Sequence, residues 1–334
     1  MTAKLVRQRG AALLLAMLTV TLVATFAASA LWQQWRGIEV ESAERSRVQS
    51  SWVLTGALDW ARLILREDAR AGGADHLAEP WAIALQEARL STFLAADRNN
   101  TGGAAGGSAE AEGMPDAFLS GQISDLQARL NVRNLVDNGK LSEPNVLAFG
   151  KLFDLLGLPQ TQLATFADNL RIATTDARTD TSIGPYAPLL PQRVDQLVWL
   201  GLSPSTVDKL APHITVLPVR TPVNLNTARA EVIYAIVPAL EMADAQRLVT
   251  ERDRSHLRTL TDAADLVLAL QGQLNDNQHA VASRFFEVRG RLRLDLLVIE
   301  ERSVLQRDGL VVKTLWRDRG VLTGATAAAG APAK

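Results

Sequence analysis

The chain has 334 residues, no cysteine, and a formal net charge of −1 that results from 35 basic and 36 acidic side chains. The absence of cysteine excludes a disulfide framework and a thiolate metal site. The near-neutral charge gives no electrostatic footprint for nucleic acid at the level of the whole chain. A chain of this length has room for two lobes in addition to a membrane span.

The first element in the chain is an uncharged apolar run from Ala11 to Trp35. A helix of about 20 apolar residues crosses the bilayer core, whereas the apolar region of a secretory signal peptide has only about 7–15 residues. Apolar side chains then recur at helical spacing, without a proline, as far as Arg70. The pattern predicts one helix that spans the membrane over residues 11–35 and continues beyond it over residues 36–71.

Three basic residues, Lys4, Arg7 and Arg9, precede this helix. By the positive-inside rule they predict a cytoplasmic N-terminus and an exported remainder. Gly10 lies between the basic residues and the apolar run, and a plain single-pass anchor does not explain a glycine at this position.

Turn residues mark the end of the long helix. Gly72 and Gly73 supply a C-terminal stop, because glycine adopts the left-handed conformation that often closes a helix. The stretch that follows, residues 79–90, has Pro80 near its start, which is typical of the first turn of a helix. We therefore predict a short second helix there.

Two further stretches precede the middle of the chain. Residues 97–115 are rich in glycine and alanine and nearly free of large apolar side chains, which predicts a flexible surface loop. Residues 117–136 alternate weakly between apolar and polar side chains. With Ser124 and Asp125 as the turn, this alternation predicts a pair of strands.

From about residue 143 the pattern is one of short helices with capping residues. Ser142 and Ser203 each stand before a helical pattern with a proline in its first turn, which indicates helix N-termini. Similar signals recur along residues 143–283. This texture predicts a large all-α region.

After Arg284 the apolar period changes from helical to two, which predicts strands. Asp308 and Gly309 predict the turn of a hairpin that joins two of these strands. Residues 321–334 are expected to be a disordered tail. Because strands lie on both sides of the helical region, the sequence predicts an α+β fold. In this fold a long N-terminal transmembrane helix packs on an antiparallel sheet, and an all-α domain is inserted between strands.

The short basic leader, Gly10 and the apolar stretch together resemble the class III leader of type IV pilins and type II secretion pseudopilins. The resemblance implies that a prepilin peptidase cuts between Gly10 and Ala11. Most of these proteins carry Phe at the first mature position and Glu at the fifth. Here the two positions hold Ala11 and Leu15, and the lack of the fifth-position Glu is typical of one family, the minor pseudopilin K of type II secretion.

Three more stretches are similar to that family, in the same order along the chain. The first, Ala57 to Arg70, looks like the end of the family's N-terminal helix. The second is a strand-turn motif formed by Asp125, Arg129, Asn131 and Leu135. The third is a helix-start motif formed by Asn224, Asn226, Thr227, Ala228 and Val232.

The resemblance, together with the local patterns, implies a pseudopilin fold divided into seven parts. They are a cleaved leader (1–10), a transmembrane segment (11–35), the periplasmic continuation of the helix (36–71), the first part of the αβ domain (72–136), the inserted all-α domain (137–283), the closing strands (284–320) and the tail (321–334).

The resemblance also implies a function in assembly rather than catalysis. The chain would be an inner-membrane, single-pass minor pseudopilin with its bulk in the periplasm, placed at the tip of the type II secretion pseudopilus. It would help to initiate the pseudopilus and to export folded proteins across the outer membrane. The implied partners are the minor pseudopilins I and J, the major pseudopilin below them and the prepilin peptidase, with exported cargo as a further candidate for the helical domain.

Many members of the family bind calcium through an acidic loop in the helical domain. The corresponding stretch here keeps Asp168, Asp176 and Asp180 but lacks the dense run of acidic residues. Calcium takes six to eight oxygen ligands. The three aspartates are candidate calcium ligands, and loop-capping aspartates are the alternative interpretation.

Two rival functions are weighed against assembly. Residues 223–266 resemble the helix-hairpin-helix modules of membrane-anchored DNA-uptake proteins, but the hairpin has no glycine and is flanked by Glu241 and Asp244, which would repel a phosphate. An enzyme is disfavoured because the four histidines share no metal-ligand spacing and no catalytic motif occurs. We therefore expect neither DNA binding nor catalysis.

Overall fold

The computed structural model describes residues 11–90, 117–174, 187–294 and 297–322. The leader predicted for residues 1–10 and the loop predicted for residues 97–115 lie outside these ranges. The chain divides into two compact units after Gly56. Helix α1, Ala11–Ala71, begins in the first unit and ends in the second.

In the first unit, residues 11–56 are entirely helical. Their most apolar 18-residue window has a mean hydropathy of 2.3 and is fully exposed, so this part of α1 is long and apolar enough to cross a membrane. The helix ends at Ala71, and Gly72 and Gly73 follow with φ values of +69° and +115°. The predicted glycine stop is therefore confirmed.

The second unit is built on a five-stranded antiparallel sheet with the order β1-β2-β9-β10-β11. Its strands are β1 (Leu85–Arg89), β2 (Ala117–Asp125), β9 (Phe285–Leu294), β10 (Leu297–Asp308) and β11 (Val311–Leu322). Among the described residues between β2 and β9 there are six two-residue strands: β3 (Leu130–Asn131), β4 (Val136–Asp137), β5 (Lys140–Leu141), β6 (Ile214–Thr215), β7 (Val223–Asn224) and β8 (His279–Ala280).

The last turns of α1 cover one face of this sheet. Leu58, Ala61 and Leu65 recur at helical spacing and are buried, because side chains three and four residues apart share one side of a helix. They share an apolar core with Trp81 and with side chains of the inner strands and β11; those side chains are Ile123, Phe286, Val288, Leu305 and Val312. The Trp81 ring meets the Phe286 ring edge-on, with 5.2 Å between centroids.

The chain between β2 and β9 forms the helical region, which has one apolar core of its own. Its helices are α2 (Glu143–Leu155), α3 (Gln160–Thr174), α4 (Pro204–Leu210), α5 (Ala230–Ile236), α6 (Met242–Arg254) and α7 (Leu260–Leu266). Short 3-10 helices precede or join them, including Leu126–Ala128, Val132–Leu135 and Val194–Leu200. The Ser203 hydroxyl caps α4 by accepting the Thr206 N–H at 3.1 Å, as the sequence predicted.

The predicted fold class is confirmed: a long N-terminal apolar helix, an antiparallel sheet, and a helical region inserted between two strands. The helical region begins directly after β2, at Leu126, rather than at residue 137. The reason is that Leu130, Val132 and Leu135 pack into the helical core and not onto the sheet. At the other end, β11 runs to Leu322.

Two local predictions were wrong. Residues 79–90 form a 3-10 turn, Pro80–Ala82, followed by β1 instead of the predicted helix. The reason is that β1 hydrogen-bonds to the backbone groups along the edge of β2, which would otherwise be unpaired. Residues 117–136 are not a strand pair with a turn at Ser124 and Asp125. Both residues lie inside β2, which continues into 3-10 turns.

The packing of α1 on the sheet gives a stability prediction. Leu65→Ala should lower the free energy of unfolding by about 2–5 kcal/mol, because Leu65 is fully buried and its loss leaves a cavity. Leu63→Ala is the matched control on the same helix, since its side chain is 43% exposed, and it should cost less than about 1 kcal/mol. Denaturant unfolding of the detergent-solubilised chain measures both values, and equal losses would contradict this packing.

Candidate functional site

The first 25 residues of α1 carry no charged side chain. Ala11 is the first described residue, and Leu15 lies one turn further along with 65% of its surface exposed. This helix thus presents an exposed aliphatic side chain at position 15. The leader residues Lys4, Arg7, Arg9 and Gly10 lie outside the described residues.

The hydroxyl groups of this segment are bonded within the helix. Thr19, Thr21, Thr25 and Ser29 each donate to the carbonyl oxygen three residues earlier, at 2.9 Å in every case. In hydrocarbon no water is available to satisfy such groups, and an unsatisfied hydroxyl costs free energy. These bonds therefore make the segment compatible with lipid, a feature that the apolar pattern of the sequence does not reveal.

Aromatic side chains lie at the distal end of the apolar segment. Trp32 and Trp35 are more than half exposed, and the Arg36 guanidinium stacks on the Trp32 ring at 5.3 Å from its centroid. Tryptophan is enriched where hydrocarbon meets the polar headgroups. The first charge after the apolar run thus coincides with an aromatic pair suited to that interface.

In the second unit, the two family-like motifs meet around one buried carboxylate. Asp125 accepts hydrogen bonds from the Thr227 hydroxyl at 2.5 Å, the Ser283 hydroxyl at 2.6 Å, the Gln127 N–H at 2.7 Å and the Asn224 amide at 3.1 Å. Burial of the carboxyl group raises the pKa of Asp125, and these donors oppose the rise. The residues thus join β2, the α5 entrance and the start of β9.

An arginine extends this network to the end of α1. Arg307, on β10, donates to Asp75 at 2.6 Å, to Asp68 at 2.5 Å and to the Ser283 carbonyl at 2.8 Å. Asp75 also accepts the Ser283 N–H at 2.6 Å. Ser283 therefore donates to two carboxylates, through its N–H to Asp75 and through its hydroxyl to Asp125. We call the six residues Asp75, Asp125, Asn224, Thr227, Ser283 and Arg307 the junction cluster.

The other asparagines of the two motifs also form hydrogen bonds with backbone groups of distant segments. Asn131 accepts the Arg133 and Leu217 N–H groups and donates to the Val219 carbonyl. Asn226 exchanges two hydrogen bonds with the backbone of Leu257, at 2.8 and 2.9 Å. The motif residues therefore shape the scaffold instead of forming a ligand site.

The calcium prediction is only partly covered by the structure. Asp168 lies on α3, more than half exposed, and its carboxylate pairs with Arg171 at 2.8 Å. Asp176 and Asp180 lie outside the described residues, so the three-aspartate site stays a prediction.

One acidic group that the sequence analysis missed does come together in the described chain: Asp68, Asp75 and Glu79 have carboxylate oxygens within 4.8 Å of one another. Arg307 pairs with Asp68 and Asp75 of this group. Burial raises the pKa of Glu79 to about 7, and its carboxylate accepts the Trp81 indole N–H at 2.7 Å. The Arg307 guanidinium thus supplies positive charge next to this group of carboxylates.

The hairpin considered for DNA binding and the histidines considered for catalysis both lie in the described residues. The hairpin between α5 and α6 is followed by Glu241 as the N-cap of α6 and Asp244 in its first turn, which disfavours a phosphate there. Of the histidines, His76 stacks on His256 at 3.9 Å, and His279 is buried against Asn275. These contacts are packing and capping contacts.

Comparisons with known proteins agree with the assembly interpretation. Two family models, both described as type II secretion system (T2SS) protein K, match residues 128–219 and 223–282. The chain belongs to the type II secretion system protein K family. It is accordingly a minor pseudopilin of that system, and the DNA-uptake alternative finds no support in these matches.

Relatives of the family extend the match to nearly the full length. The type II secretion system protein K of Pseudomonas aeruginosa is 25% identical over 333 residues, covering 93% of this chain and 90% of its own. That of Pectobacterium carotovorum subsp. carotovorum is 25% identical over 343 residues, covering 94% and 97%. The family is a structural component of the secretion machinery, not a group of known enzymes.

The fold is also found in a solved structure. A chain in the crystal structure of the GspK-GspI-GspJ complex from the enterotoxigenic Escherichia coli type 2 secretion system aligns with a TM-score of 0.63 at 18% identity. The alignment covers 83% of this chain and 98% of that one. It supports the architecture of sheet and inserted helices described above.

The junction cluster gives a second stability prediction. In Asp125→Asn, either orientation of the amide turns its NH2 group toward a fixed donor, the Gln127 N–H or the Asn224 amide. We expect the free energy of unfolding to fall by about 2–3 kcal/mol, the usual effect of a lost bond to a charged group in a buried site. Denaturant unfolding monitored by circular dichroism measures the change.

The control for this variant is Asp208→Asn, which changes an exposed aspartate of α4. It should alter the free energy of unfolding by less than about 0.5 kcal/mol. A loss for Asp125→Asn no larger than that of the control would show that the buried carboxylate does not hold the junction.

Proposed function

We propose that this minor pseudopilin is the tip subunit of the pseudopilus and that it initiates assembly there, in support of the export of folded proteins across the outer membrane. It is anchored in the inner membrane by residues 11–35, with a cytoplasmic N-terminus and a periplasmic bulk. Basic Lys4, Arg7 and Arg9 on the short side of the span support this orientation.

The observation that carries the tip assignment is Leu15. A carboxylate in the hydrocarbon core is costly unless it is paired. In subunits that have the fifth-position Glu, pairing with the N-terminal amine of a neighbour would remove that cost and set the register. Leu15 has no charge to neutralise, so this subunit needs no neighbour above it. That independence fits the first subunit of a fibre.

Processing of the leader belongs to the same proposal. Cleavage between Gly10 and Ala11 by the prepilin peptidase would make Ala11 the mature N-terminus, with Leu15 at the fifth position. A glycine before the cut suits a protease groove, because a backbone without Cβ can approach closely. The apolar character of α1 from Ala11 onward supports this placement of the cut.

The proposed partners are the minor pseudopilins I and J, with the major pseudopilin below them. A structural relative was crystallised in a complex with GspI and GspJ, which supports the first two. The helical region adds bulk between β2 and β9 that the sheet itself does not need. Such bulk would hinder the addition of a further subunit above this one, and it leaves a surface for exported proteins.

Leader processing is tested by Gly10→Ala. The variant should accumulate as a precursor that is longer by the ten leader residues. Immunoblotting and mass spectrometry of the N-terminus measure this. Gly37→Ala is the matched control, because an added Cβ at Gly37 meets no atom within 4 Å, and it should be processed normally. Normal processing of Gly10→Ala would overturn the cleavage assignment.

The tip assignment is tested by Leu15→Glu. We expect membrane insertion to persist, while the complex with the minor pseudopilins I and J and secretion are disturbed, because the new carboxylate requires a partner. Leu14→Glu, at an equally exposed neighbouring position, controls for the general cost of a charge in the span. Co-purification and a secretion assay give the readouts. If Leu15→Glu leaves both unchanged, Leu15 does not define the tip.

A further inference from the structure

A lysine ammonium is enclosed by the hairpin between α5 and α6. Lys151, on α2, places its Nζ atom 2.8 Å from the carbonyl oxygen of Val237 and 3.1 Å from those of Pro238 and Leu240. The ring of Tyr234 lies beside it, with its centroid 4.0 Å from Nζ. The ammonium is thus surrounded by three backbone oxygens and one aromatic face.

The number of contacts matches the chemistry of the group. An ammonium has three N–H donors and no acceptor, so three carbonyls satisfy it completely. The aromatic face adds attraction through the ring quadrupole. Burial lowers the pKa of Lys151, and the negative charge of Glu241 opposes this shift. The lysine is therefore only partly solvated.

The hairpin provides these oxygens because of its local sequence. The Val237 N–H closes α5 by donating to Ile233, and the Leu240 N–H donates back to the Val237 carbonyl. Pro238 has no N–H to offer. The turn therefore brings three carbonyl oxygens to one point, and of the Val237 and Leu240 N–H groups only the one of Leu240 donates to one of these oxygens. Uncompensated, these clustered oxygens would repel one another.

Neutral carbonyl oxygens that converge on one point can coordinate monovalent cations, as the larger rings of backbone carbonyls in potassium-channel filters do. Calcium and magnesium sites instead draw on carboxylates, and no carboxylate is among the three acceptors of this ammonium. An ammonium is close to K⁺ in size and carries the same charge. The hairpin thus has the features of a monovalent-cation site.

We propose that the turn Val237–Leu240 is a monovalent-cation site and that the Lys151 ammonium is its built-in occupant, taking the place of a free ion. Because the occupant is tethered to α2, it also fixes the hairpin to that helix. The site is therefore filled at any ionic composition of the surroundings. Removal of the ammonium should expose a site that K⁺ or Na⁺ can enter.

The test compares thermal unfolding of the full chain in detergent, in KCl, in NaCl and in N-methylglucamine chloride at equal ionic strength. Lys151→Ala removes the ammonium and its stem, and Lys151→Met keeps most of the stem but not the charge. Lys209→Ala, which changes an exposed lysine of α4, is the control. The wild type and the control should unfold at the same midpoint in all three salts.

We expect both Lys151 variants to unfold at lower temperature than the wild type in N-methylglucamine. K⁺ or Na⁺ should raise their midpoints by about 2–4 °C in a saturable manner, as for a ligand that binds the folded state alone. Variants that unfold alike in every salt, or that fail to fold in any of them, would overturn the proposal. So would a wild-type chain with the same salt response as the variants.

Discussion

The arrangement of the second unit depends on the burial of one carboxylate. Asp125 lies where β2 leaves the sheet and the helical region begins. Its four donors are Gln127 at the start of that region, Asn224 and Thr227 before α5, and Ser283 at its end. An unpaired charge there would be strongly unfavourable. The helical region and the sheet are therefore held in the one relation that satisfies the carboxylate, and Arg307 joins the end of α1 to the same network.

Much of the fold could be predicted from local signals. The apolar run from Ala11 to Trp35 needs only length and the absence of charge, and the hairpin at Gly309, with φ of +57°, needs only the turn preference of glycine. The helix predicted for residues 79–90 was wrong because their helical pattern competes with pairing to a free strand edge. Only the assembled sheet contains that edge. Local propensity is a weak prior where tertiary pairing is available.

The candidate site was less accessible to sequence reasoning. Ser124 and Asp125 resemble a turn in the sequence. The buried role of Asp125 is hidden because its donors Asn224, Thr227 and Ser283 lie 99, 102 and 158 residues further along the chain. No local window contains such partners. The prediction for Leu15 needs no distant partner, since it depends only on the distance of Leu15 from Gly10 along the chain. Lys151 gave no signal at all, because the carbonyls that surround it belong to a different helix pair.

The connection of the helical region to the sheet has a mechanical consequence. β2 and β9 pair over their full length, and the helical region leaves from Asp125 and returns at Phe285, both at the same end of that pair. A force applied to the helical region would therefore load the strand pair at its last rung and tend to unzip it, instead of shearing all rungs together. The hydrogen bonds that Asp125 receives from Thr227 and Ser283 lie at that rung. These hydrogen bonds hold the strand pair together at the end where separation of the two strands would have to start.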